Sequence, residues 1–75
     1  MNKSEKLLQI FREVLETSAI DETVSQTNCE AWDSIHHLNL ILAIESGFNI
    51  SLEPEEMEQM QDFATALKIV EGKIV

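Results

Sequence analysis

Asp33, Ser34, His36 and His37 stand in one short run and are the side chains here with most chemistry to offer. A serine hydroxyl becomes a nucleophile when a base takes its proton, a third group orients the base and an oxyanion site is at hand. His37 follows Ser34 by one helical turn and could approach it. A chain of 75 residues with the serine at an exposed helix start offers no pocket to assemble the other parts, so hydrolysis is not expected. Adjacent histidines point about 100° apart on a helix, and Cys29 is the sole thiol, so no metal site and no internal disulfide are expected. Asp33 and Ser34 are both N-cap types placed just before the apolar Ile35. A phosphate attached to a hydroxyl there lies beside unpaired N–H groups and the positive end of the helix dipole. The same residues also fit a plain helix cap.

Four helical segments must position that run. From Asn2 to about Glu16, the residues Leu7, Leu8, Phe11, Val14 and Leu15 recur at helical spacing, with Asn2 and Glu5 in a capping-box pattern. Thr17 to Trp32 is rich in Ser, Thr, Asp and Asn and keeps no period, which predicts a long loop tied down by Ala19, Ile20, Val24 and Trp32. A second helix starts at Asp33-Ser34 and runs to about Ser46, with Gly47 expected to supply a left-handed ending. Glu53-Pro54-Glu55-Glu56 predicts a short third helix with Met57 and Met60 inward. Asp62 caps a last helix in which Phe63, Leu67, Val70 and Ile74 share one face. The predicted fold is all-α: three main helices and one short one in a bundle.

The second helix carries more apolar surface than one stripe. On a wheel of about 100° per residue, Leu40 and Ile44 sit together, Ile41 lies beside them, and Ile35, Leu38 and Leu42 cluster on the far side. We expect Leu40, Ile41 and Ile44 in the core and Ile35, Leu38 and Leu42 as an exposed docking ridge leading away from Ser34. The alternative is that the long loop folds back and buries both stripes. The histidine pair is expected to be two exposed polar residues tuning partner contact. Trp32 either packs under the loop or flanks the site. Cys29 is expected to be a small buried apolar residue, and Met57 and Met60 core filler.

Five Lys/Arg against fourteen Asp/Glu give a formal charge of −9, which argues against nucleic acid as a partner because phosphate binding needs clustered cations. Glu13 to Leu67 holds no Lys or Arg, and such a one-signed surface steers basic protein patches. A hydrophobic share of 44% is too high for a disordered acidic tail. The longest apolar run, Leu40 to Ile44, falls far short of a membrane span, and the polar start Met-Asn-Lys-Ser-Glu-Lys has no signal-peptide core. Together with the lone cysteine, these features predict a cytoplasmic protein; a monomer is expected.

Asp33-Ser34-Ile35, behind Trp32 and a long loop and ahead of an amphipathic helix, resembles the acyl carrier protein family, peptidyl carriers included, whose hallmark is Asp-Ser-Leu at the start of the second helix. The likeness runs through helix order, Gly47-Phe48, the Ile50-Ser51-Leu52 segment and the final helices. It implies a four-helix acyl-carrier-like fold with residues 1–75 as a single carrier domain, and a carrier rather than an enzyme. It also implies a covalent 4′-phosphopantetheine, moved from coenzyme A by a separate phosphopantetheinyl transferase, usually with magnesium. The thiol of that arm carries acyl or aminoacyl groups as thioesters between enzymes of fatty-acid, polyketide- or peptide-type pathways.

By match, Ser34 is the attachment point, Asp33 helps position the transferase chemistry and Ile35 meets partners. The positions matching the family's face toward basic enzyme surfaces are Leu38, Leu42, Glu45, Leu52, Glu55, Glu56 and Glu58, with Met57 at the rim. His36, His37 and Asn39 stand where acidic or small residues are more usual, and Ser46-Gly47 replaces an acidic helix end. These departures point away from a partner set drawn from general fatty-acid synthesis. Trp32-Asp33-Ser34 with a histidine soon after looks more like carriers of specialised pathways that load amino acids, glycerate-like units or acyl groups for polysaccharide or secondary metabolites. The competing reading is an acidic helical adaptor whose Ser34 is never modified.

Overall fold

Asn2 starts the first helix as its N-cap, its Oδ1 accepting the Glu5 N–H at 2.8 Å. The computed structural model describes residues 2–17 and 19–74 and contains α1 (Lys3–Val14), α2 (Ser34–Phe48), α3 (Pro54–Gln59) and α4 (Phe63–Ile74). The order and number of helices are those expected. α1 stops two residues early because Glu16 takes a left-handed conformation, φ 56°. Thr17 N–H then donates back to the Arg12 carbonyl at 3.2 Å, the backward bond of a Schellman ending.

α2 runs on through Gly47, contrary to the expected stop. Its left-handed residue is Asn49, φ 55° and ψ 51°, and Ile50 N–H closes onto the Glu45 carbonyl at 3.1 Å. Asn is the side chain that tolerates this conformation best after Gly. Gly47 instead lies against α1, where a Cβ would meet Ile10 Cδ1 at 2.9 Å. α3 begins at Pro54, with the Glu56 carboxylate reaching back to Glu53 N–H at 2.8 Å. Asp62 Oδ1 accepts Thr65 N–H at 2.7 Å at the head of α4.

The core is one cluster. Leu7, Phe11 and Leu15 come from α1 and its end, Leu40, Ile41 and Ile44 from α2, and Met60, Phe63, Ala66 and Val70 from the C-terminal part. Phe11 is the hub, edge-on to Trp32 at 5.2 Å and to Phe63 at 5.4 Å between ring centroids. Each such side chain contributes about 1.5–3 kcal/mol of burial. Leu67 is half-buried, whereas Ile74 is 37% exposed. It ends α4 beyond Val70, where the core is already finished.

The long loop is pinned by Ile20, Val24 and Trp32, all buried, while Cys29 is half-buried and free. Ala19 is exposed, contrary to expectation, in a turn where its N–H donates to Thr17 Oγ1 at 3.2 Å. Polar links finish the anchoring. Arg12 Nε donates to the Ile20 carbonyl at 3.0 Å. Ser25 and Asp62 form an isolated antiparallel bridge, with Gln26 N–H on Gln61 O at 2.9 Å and Phe63 N–H on Val24 O at 3.0 Å. This loop therefore delivers the chain to α2 from a fixed direction.

Candidate functional site

The first turn of α2 divides labour between two neighbours. Asp33, extended at φ −96° and ψ −173°, is the N-cap. Its Oδ1 accepts His36 N–H at 2.9 Å and His36 Nδ1–H at 2.8 Å. The backbone bond from His36, then the side-chain one, holds the Asp33 carboxyl below the usual aspartate range. Capping thus falls to Asp33, and Ser34, the first helical residue, presents an exposed side chain.

The histidine pair does not behave as two exposed polar residues. His37 is half-buried and lies edge to edge with Trp32, ring centroids 6.0 Å apart and planes 25° from parallel. The indole N–H donates to His37 Nδ1 at 2.9 Å, and His37 Nε2 meets the Met57 carbonyl at 2.9 Å. An indole only donates and a carbonyl only accepts, so the ring carries its proton on Nε2. His37 thereby ties the loop and α2 to α3. Both of its nitrogens are committed, and His36 Nδ1 is committed to Asp33, so neither histidine is set to activate Ser34.

Beyond Ser34 the two stripes of α2 part as expected. Ile35, Leu38 and Leu42 are 72%, 60% and 56% exposed, while Leu40, Ile41 and Ile44 are buried. The rest of the anticipated contact set splits. Glu55 and Glu58 are exposed on α3. Leu52 is buried and presents nothing to a partner, because the segment after Asn49 turns its side chain into the core. Glu45 is half-buried and accepts Leu52 N–H at 2.8 Å, so its carboxylate holds that segment in place. Glu56 is half-buried too. It pairs with Lys73 Nζ at 2.7 Å as well as with Glu53 N–H, which together keep its carboxyl below the usual range.

Sequence reasoning missed the bond from Trp32 through His37 to Met57, and Gln26 beside it. No short-range pattern announces either. Among the described residues no group of three or more His, Cys, Asp or Glu could hold a metal ion, and no helix is long and apolar enough to cross a membrane.

The fold matches the solution structure of the holo acyl carrier protein from Geobacter metallireducens with a TM-score of 0.87 and 28% sequence identity, over 99% of this chain and 87% of that one. The chain has the fold of that acyl carrier protein and is similar to it along nearly its whole length. No family model and no curated protein matches the sequence. In this chain Asp33-Ser34-Ile35 opens α2, and the exposed ridge of Ile35, Leu38 and Leu42 leads directly from it.

Proposed function

We propose that this chain is an acyl carrier, not an enzyme, with residues 1–75 as one carrier domain whose covalent 4′-phosphopantetheine is attached through Ser34 Oγ. The observation that supports the attachment point is the division of labour at the head of α2: Asp33 caps the helix and Ser34 stands exposed beside it. The residues fit the group. A transferase can reach the exposed hydroxyl, and the phosphodiester lies at the positive end of a 15-residue helix. Because Asp33 already supplies the cap, esterifying Ser34 takes no hydrogen bond away from the first turn. When bound, the group supplies a thiol that holds acyl or aminoacyl units as thioesters.

The partners are a phosphopantetheinyl transferase and acyl-processing enzymes whose docking surface offers an apolar strip for Ile35, Leu38 and Leu42. Basic groups on that surface face Glu55 and Glu58. Such contact is steered by charge and held by a small apolar area, which suits a carrier that must be released after each step. The carrier acts in the cytoplasm as a monomer and serves a specialised acyl pathway.

Incubation with coenzyme A, magnesium and a promiscuous transferase tests the assignment. A mass increase of one phosphopantetheine that vanishes in Ser34→Ala is expected. An unchanged mass would leave the unmodified acidic adaptor as the function.

A further inference from the structure

A cleft of about 380 Å³ lies at the foot of Ser34, lined by Gln26, Trp32, Asp33, Ser34 and His37. Its walls are firm. Trp32 is 4% exposed and joined edge to edge to His37 by the indole N–H bond, and the Gln26 backbone is held by its N–H bond to Gln61 O. The Gln26 side chain is another matter. Its Nε2 lies 3.4 Å from His37 Nδ1, but that nitrogen has one in-plane lone pair, already taken by the indole N–H at 2.9 Å. A contact of 3.4 Å to an occupied acceptor is marginal. Gln26 therefore holds a carboxamide, both donor and acceptor, at the edge of the His37 ring with little committed to the protein.

A secondary amide with an alkyl neighbour complements this arrangement. Its N–H and C=O pair with the Gln26 carboxamide, and its alkyl part lies against the half-buried His37 ring. Resting on attachment at Ser34, we infer that this cleft seats the phosphate-proximal amide of the pantetheine arm, with the Gln26 carboxamide as its hydrogen-bond partner. The seat lies on the loop side of α2, so an arm held there leaves the ridge of Ile35, Leu38 and Leu42 open to a partner.

The test compares ¹⁵N-labelled chain before and after loading with coenzyme A and a transferase, with loading verified by mass. The expected result is a shift of the Trp32 indole and Gln26 side-chain cross-peaks, with nuclear Overhauser contacts from the Gln26 carboxamide to the first arm amide. In Gln26→Ala selected as fully loaded by mass, the indole shift is lost. A loaded chain whose Gln26 cross-peaks stay in place, or an indole shift that persists in Gln26→Ala, overturns the seat while leaving Ser34 as the attachment point. Failure of the mass to rise overturns the attachment itself. Trp32 is the single tryptophan, so its emission offers a second, independent readout of the same change.

Discussion

Along α2, Leu40, Ile41 and Ile44 lie at 0%, 2% and 0% exposure, while Ile35, Leu38 and Leu42, on the same helix and of the same chemistry, lie at 72%, 60% and 56%. Hydropathy cannot separate them. What separates them is supply of cover: one stripe lies in the buried cluster that α1 packs against, and none of the described residues covers the other. A helix of a small bundle that keeps a second stripe exposed retains a cost in solubility that only a partner relieves. The sharpest way to break this comparison is to truncate each face in turn. Ile44→Ala should cost about 2–5 kcal/mol, as expected for a core residue that leaves a cavity. Leu38→Ala should stay within roughly 0.5 kcal/mol in urea unfolding while slowing loading by the transferase. Equal losses of stability from both would mean that the two stripes are not different in kind.

The neighbouring histidines repeat the contrast at smaller scale. His36 bonds Asp33 at the surface, whereas His37 satisfies the buried Trp32 indole and the Met57 carbonyl. His37→Ala leaves that indole donor without a partner, and an unsatisfied buried donor costs about 1–3 kcal/mol. His36→Ala should cost less, since the Asp33 bond to the backbone N–H survives. The same urea titrations check both, and the rank order of the two variants decides whether His37 is the internal tie described here.

These contrasts also show which parts of the molecule were legible in sequence. Helix order, the inward stripe of α2 and the Asp33-Ser34 start followed from local rules of period and capping, which operate within a turn or two. The burial of Leu52 did not, because Ile50-Ser51-Leu52 has no period to say which way it faces. Glu45 and Glu56 look like solvated acids in sequence, and their roles depend on a backbone N–H seven residues on and a lysine on another helix. The His37 tie spans twenty residues to Met57 and needs the fold before it exists. Gly47 misled because glycine is the usual left-handed residue, and here Asn49 takes that conformation two positions later.

That last point yields a smaller prediction about how each helix ends. Glu16 and Asn49 both occupy left-handed backbone, φ 56° and 55°, where a Cβ is disfavoured. Glu16 carries the larger strain because asparagine tolerates the region better than glutamate. Glu16→Gly should raise stability by about 0.5–1 kcal/mol, and Asn49→Gly by less. Thermal unfolding of the two variants against the parent reads the difference. A loss of stability in Glu16→Gly would show that its side chain matters more than the strain of its backbone.

The smallest expected effect concerns the head of α2, where one residue caps and its neighbour is left to be modified. The folded Asp33 carboxyl lies below its ordinary value of about 3.9, chiefly through the His36 backbone N–H. An acid whose folded pKa is depressed contributes stability above its unfolded pKa and loses it as pH falls through the folded one. The stability gap between parent and Asp33→Ala should therefore be constant from neutral pH down to about 5. It should narrow below the ordinary aspartate value and be smallest once the folded carboxyl is protonated. Asp33→Asn keeps an oxygen for the His36 N–H but no charge, so its deficit relative to the parent should shrink over the same acid range, from a smaller starting value. A gap for Asp33→Ala that held steady to pH 2 would mean that the first turn is fixed by packing of the loop alone. The exposure of Ser34 would then have to be explained without a charged cap beside it.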